Sequence, residues 1–156
     1  MSQNQTMFVS VIIIAFSMLL FLYWFRYTCL LILSTKTTRD YTAQVARANQ
    51  LEFPAIQAHL KLAGSASSMD SLRLSLEKDY RLLTGLLRHA AQFQMGGLTV
   101  EQRMLMVDYQ AMKLWYSVAR QFSEATHARQ ALEEMSDIVA HFANAMGERS
   151  AEASKA

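Results

Sequence analysis

The side chains most able to do chemistry are four histidines and a scatter of carboxylates. Glu124 and His127 stand three residues apart, the spacing by which di-iron helical bundles present a carboxylate and an imidazole to a metal. Glu134, Asp137 and His141 follow on the next turns, and Asp137 and His141 form an i, i+4 pair. Such centres use two Glu-x-x-His motifs and two further carboxylates. This chain has one motif, and one helix supplies all of these groups, so a metal cage would need another helix or a second subunit. A membrane-tethered enzyme using Glu124, Asp137 and His141 with a metal is the chemical reading of that segment. A solvated helix face is the plain reading, and we adopt it. The chain has no HExxH, no cysteine pair, no P-loop, no GxGxxG and no GxSxG, which are the local signatures of metal, phosphate and nucleophile chemistry. Its lone cysteine, Cys29, permits no intramolecular disulfide and sits at a membrane boundary, a poor place for a nucleophile. The sequence thus assigns no catalytic residue, no cofactor and no metal.

One short run has a counterpart elsewhere. His59 is followed by Leu60, Lys61, Leu62, Ala63, Gly64 and Ser65. This resembles the x-Leu-Lys-Gly-Ser-like run after the reactive histidine of histidine phosphotransfer domains, which are also helical bundles. The resemblance implies an exposed phosphoacceptor at His59. The run departs from that pattern by the extra Leu62 and Ala63, and its helix ends within about five residues of His59. It covers some eight residues and places the chain in no family. Trp115 and Tyr116, with Tyr109 and Phe122, would line a pocket or pack a core; at helical spacing core packing is the expectation. Met104, Met106, Met112, Met135 and Met146 are adaptable filler or an adaptable binding surface.

The elements that position these groups begin with a membrane address. Apolar residues make up 52% of the 156 residues and charged residues 18%, below the usual quarter for charged residues in soluble domains. Residues 7–25 carry no charge, and only Ser10 and Ser17 are polar. At about 1.5 Å per residue such a helix spans the ~30 Å hydrocarbon core. Tyr23, Trp24, Arg26 and Tyr27 gather at its far end as an interface cluster. Apolar residues resume at 29–33, so either the helix is long and tilted with Arg26 snorkelling, or the span ends near Phe25 and residues 29–33 lie in the interface. No Lys or Arg precedes the run and no small-x-small site follows it, which favours an uncleaved anchor over a signal peptide. Arg26, Lys36, Arg39 and Arg47 follow the run, so the positive-inside rule predicts the N-terminus outside and the C-terminal domain in the cytoplasm. Ser10 and Ser17 share a face that would suit packing against another membrane helix. The net charge of +2 gives no reason to expect nucleic acid. Residues 26–99 carry +4 and residues 100–156 carry −2; this suits a mild attraction to anionic membrane lipids, and we read it as orientation and not as a lipid-binding motif.

The rest reads as helix. One proline, five glycines and no Asn-Gly turn exclude a turn-rich β fold, and good helix formers dominate. The pattern predicts helices over about 37–51 and 54–62, broken by Pro54. It predicts a loop at 64–68 and a third helix from Met69 to Gly96 and Gly97. Thr99 is the expected cap of the next, with Gln102 completing a capping box. Seven leucines between 72 and 87 predict a central helix buried on more than one side. From 100 to 146, apolar residues repeat every seven: Met104, Ala111, Val118, Ala125, Leu132, Val139 and Met146 in one row, Val107, Leu114, Gln121, Ala128, Met135 and Phe142 in another. This fits one long coiled-coil helix or, as we prefer, two antiparallel helices turning near 123–126. Gly147 is the expected end, with residues 148–156 frayed.

The sequence therefore predicts an all-α protein: a short tail (1–6), an N-terminal transmembrane anchor with an interfacial extension (7–33), a cytoplasmic bundle of about four helices (34–147) and a flexible tail (148–156). The expected role is non-enzymatic, an accessory, scaffold or assembly subunit of a larger membrane complex. Its expected partners are other subunits or a second copy of itself, with Leu74, Leu82, Trp115 and Tyr116 as contact residues. The alternative is a homodimeric membrane-tethered signalling or phosphotransfer-like module.

Overall fold

A segment without charged side chains can enter hydrocarbon only if its backbone satisfies its own N–H and C=O groups, and an α-helix does so. In the computed structural model, which describes residues 3–35, 39–62, 69–93 and 97–155, this segment is α1 (Gln3–Ser34), one unbroken helix of 32 residues. Residues 3–6, expected as a tail, already belong to it. Arg26 and residues 29–33 lie within the same continuous helix. The polar side chains of α1 turn back on its own carbonyls: Ser10 Oγ donates to Thr6 O at 2.9 Å and Thr28 Oγ1 to Trp24 O at 2.8 Å. Residues 4–34 are long and apolar enough to cross a membrane.

Residues 36–156 form a separate compact unit. It contains α2 (Thr42–Asn49), α3 (Phe53–Lys61), α4 (Met69–Phe93), α5 (Val100–Gln121) and α6 (Ala125–Ala153). The fold is all-α, with no strand among the described residues and five bundle helices where about four were expected. The first is shorter than predicted: Gln50 turns left-handed at φ 53° and its N–H closes on Ala46 and Arg47 carbonyls, which ends α2. Pro54 sits in the first turn of α3, where its missing N–H costs nothing. The predicted loop at 64–68 lies outside the described residues, as does Gly96. Thr99 and Gln102 form the expected capping box. Ser123, at φ 58°, breaks the long apolar repeat, so 100–146 is two helices joined at 122–124.

The hub of the bundle is α6. It packs against α2, α3, α4 and α5, which corrects the expectation that the leucine-rich α4 is the centre. The reason is in its side chains. Ala128, Ala131, Leu132, Met135, Ser136, Ile138, Val139, Phe142, Ala143 and Gly147 are all buried, an arc covering about half the helix at 100° per residue. Its small members let several helices approach at once. The predicted fray at 148–156 is also corrected: helix continues to Ala153. Arg149 holds its end by donating to Gly97 O at 3.1 Å and to Gln102 Oε1 at 3.3 Å.

α2 docks on α6 through Asn144, whose Oδ1 accepts from Tyr41 N at 2.8 Å, and through Gly147. A Cβ on Gly147 would lie 2.2 Å from Tyr41 Cβ and 3.2 Å from Val45 Cγ2, whereas one on Gly85 of α4 would meet nothing within 4 Å. Gly147→Ala should therefore lower stability by about 1–3 kcal/mol despite the helix propensity of alanine. Gly85→Ala should raise it by up to ~1 kcal/mol. Denaturant unfolding of the two full-length variants in mild detergent, followed by far-UV circular dichroism, measures both.

Candidate functional site

Three polar constellations and one apolar face compete as the functional site. The first spans α4 and α5. Glu77 Oε1 accepts from Lys113 Nζ at 2.7 Å and from Arg81 Nη2 at 2.6 Å, and its Oε2 accepts from Arg73 Nη1 at 3.2 Å. Two turns earlier, Asp70 accepts from the Tyr116 hydroxyl at 2.6 Å and from Arg120 Nη2 at 3.0 Å. The Arg73 guanidinium lies 5.9 Å from the centre of the Tyr116 ring, a cation–π contact. The Lys113 hydrogen bond, opposed by burial and aided by Arg81, holds the Glu77 carboxyl below its ordinary 4.5. Burial, then the Asp70 carboxylate, pushes the Tyr116 phenol up to about 12. Every oxygen of both carboxylates is engaged by the chain itself, so this lattice straps α4 to α5.

The second constellation lies in the core. The Asp79 carboxylate is buried, and its Oδ2 accepts from the backbone N–H of Glu52 and of Phe53, each at 2.7 Å. It caps the start of α3 from another helix, in the place of an N-cap side chain. Burial pushes its pKa up, and the two N–H bonds pull it partly back. The rings of Tyr80 and Tyr109 stack at 3.7 Å and 2°. Tyr109 is fully buried, burial raises its phenol pKa, and its hydroxyl, like that of Ser136, finds no partner among the described residues. Asp79, Tyr80, Tyr109 and Ser136 are all buried.

The third is the histidine segment of α6. His127 pairs with Glu124 and presents its ring edge-on to Trp115 at 6.1 Å. Asp137 accepts from Gln57 Nε2 at 3.1 Å. Burial lowers the His141 pKa. Among the described residues no three His, Cys, Asp or Glu side chains gather closely enough to hold a metal ion. A cleft of about 500 Å³ between α2 and α6 is lined by Tyr41, Gln44, Asn49, Met146 and Ser150 among others, and its lining holds no carboxylate, amine or histidine. His59 stands in the last turn of the nine-residue α3, and the residues that carry its phosphotransfer-like run from 63 onward lie outside the described ones.

The apolar face is on α5. Its core side is Leu105, Tyr109, Met112, Tyr116 and Ala119, all buried. Its opposite side is also apolar: Val100 is 73% exposed, Val107 58%, Leu114 68%, Trp115 46% and Phe122 75%. Met104 and Val118 are half-buried and Ala111 is exposed in the same stripe. These residues fall within an arc of about 100° that contains no charged side chain. The predicted heptad rows thus face outward on α5, while their continuation through Leu132, Met135, Val139 and Phe142 forms the core on α6.

The four predicted contact residues do not share one surface. Trp115 lies on the outer face of α5. Tyr116 is in the core, held by Asp70. Leu74 and Leu82 are exposed on α4, with Lys78 between them on that face. On α1, Tyr23, Trp24 and Tyr27 form an exposed belt of edge-to-face rings 6.0–6.3 Å apart, beside Arg26. Sequence reasoning missed the outer-face role of Val100, Val107, Leu114 and Phe122. Their signal was present as the heptad rows, but either side of the helix satisfied it.

Comparison of the chain with protein-family models, with curated proteins and with solved structures finds no match to any of them. The site is therefore read from its own geometry.

Two outcomes test the polar assignments. Asp79→Ala strips two buried N–H groups of their acceptor and should cost about 2–4 kcal/mol, with Asp79→Asn losing less because its Oδ1 still accepts. Denaturant titration checks the order. The folded pKa of Glu77 is depressed, so its contribution is complete above the unfolded value of 4.5 and is lost as pH falls through the folded value. The stability difference between the native chain and Glu77→Gln should shrink below about pH 4.5, read by thermal unfolding from pH 7 to pH 3.

Proposed function

We propose that this is a non-enzymatic single-pass membrane protein whose bundle serves as an accessory, scaffold or assembly subunit of a larger membrane complex. The observation that carries the proposal is the outer face of α5, a charge-free apolar stripe along a rigid 22-residue helix. Val100, Val107, Leu114, Trp115 and Phe122 are 46–75% exposed along one stripe, and an exposed apolar patch of this kind marks an interaction site. The polar groups are consistent with this reading, because they join the bundle's own helices. α1 supplies the tether, and the cations at Arg26, Lys36, Arg39 and Arg47 support a cytoplasmic bundle with the N-terminus outside.

A second reading, a homodimeric signalling module, draws on the seven-residue spacing of Val100, Val107 and Leu114.

The test is a native pull-down. The full chain carries a tag after Ala156, membranes are solubilised in mild detergent, and co-purifying chains are identified with their stoichiometry. Other membrane subunits should appear at fixed ratio, and Leu114→Glu should reduce their recovery by about tenfold with bundle helicity unchanged. Recovery of this chain alone as a dimer would remove the accessory role and leave the second reading.

A further inference from the structure

We infer that the outer face of α5 binds a second copy of itself, antiparallel, with Ala111 on the two-fold axis. This rests on the reading of α5 as a docking face and, on that face, puts a second copy where the accessory reading puts another subunit. The stripe is symmetric in spacing about Ala111: Val107 and Trp115 lie four residues to either side, Met104 and Val118 seven, Val100 and Phe122 eleven. A two-fold interface requires that residue i meet j and that j meet i; this spacing supplies that pairing for three residue pairs, while Leu114, whose counterpart is the buried Asp108, stands outside it.

The side-chain volumes select the direction. Antiparallel pairing sets Trp115 against Val107 and Phe122 against Val100, a large residue against a small one at each level. In-register parallel pairing would set Trp115 on Trp115 and Phe122 on Phe122 at one end, and valine on valine at the other, so the helices could not run at even spacing. The smallest residue of the stripe, Ala111, falls at the crossing point, where two helices come closest. Antiparallel helices also set each positive end against a negative one.

Pairing of two copies covers Val100, Val107, Trp115 and Phe122 of each, which are 46–75% exposed in the single chain. A lipid surface is a poorer match, because a helix lying on a membrane carries Lys and Arg along a strongly charged opposite face. The opposite face of α5 is instead the buried core of the bundle.

The experiment uses full-length protein in its native membranes, in a Cys29→Ala background that leaves no other thiol. After mild oxidation, Ala111→Cys should give mostly disulfide-linked dimer. Val107→Cys and Trp115→Cys should each give little alone, and a heterodisulfide when co-expressed. In detergent, Ala111→Glu should raise the dimer dissociation constant at least about tenfold, with helicity unchanged, because it apposes two carboxylates.

Efficient linkage through Val107→Cys alone would overturn the antiparallel geometry. Monomer throughout would overturn the proposal. So would a cysteine at 111 shielded from water-soluble maleimide in membranes without linkage to a second copy, since lipid would then be the occupant. If Leu114→Glu strips other subunits while no linkage through 111 forms, the docking reading stands and the second copy falls. If neither occurs, both fall.

Discussion

The fold depends on how many neighbours one helix can accept. α6 is apolar over half its circumference and lined with alanine, serine and glycine at the points of closest approach, so it holds α2, α3, α4 and α5 together. α4 and α5 join chiefly through side chains that reach across: the stack of Tyr80 on Tyr109, Asp70 with Tyr116, and Glu77 with Lys113. A gap bridged by long side chains needs those side chains fixed, which is why the carboxylates there are saturated with donors. Of the two carboxylates Glu77 is the more enclosed, its side chain 13% exposed, so loss of its donors leaves a partly desolvated carboxylate.

The same arrangement divides labour between the faces of α5. One side completes the core and the other is left for solvent or a partner. A soluble monomer gains nothing from Val107, Leu114 and Phe122 on its surface, since each apolar group exposed to water forgoes its burial energy. Their regular placement along one helix is what the proposed docking role draws on. In that proposal α1 adds to the effect of the surface, because a bilayer tether would raise the local concentration at which partners meet.

Much of this was legible in the sequence, and the rest was not for physical reasons. The long apolar N-terminal helix, the all-α class, the Thr99–Gln102 box and the break near Ser123 follow from local pattern. The identity of the central helix did not, because leucine count reports apolarity and not how closely helices approach. Alanines and Gly147 were the better sign. The cap that Asp79 places on α3 was invisible, since a carboxylate 26 residues downstream of Phe53 acts there only after the chain folds back. Tyr116 read as a contact residue because its ring suits an interface. Only its bond to Asp70 shows that it points inward. The heptad rows were seen, but periodicity cannot tell which of two apolar sides a neighbour covers.

The two tryptophans are divided between the two units, Trp24 in α1 and Trp115 on the outer face of α5. The intrinsic fluorescence of this chain is therefore a sum of two separable reporters. The Trp24 component reports the surroundings of the apolar helix α1, and the Trp115 component, with the His127 ring 6.1 Å away, reports the surroundings of the outer face of α5.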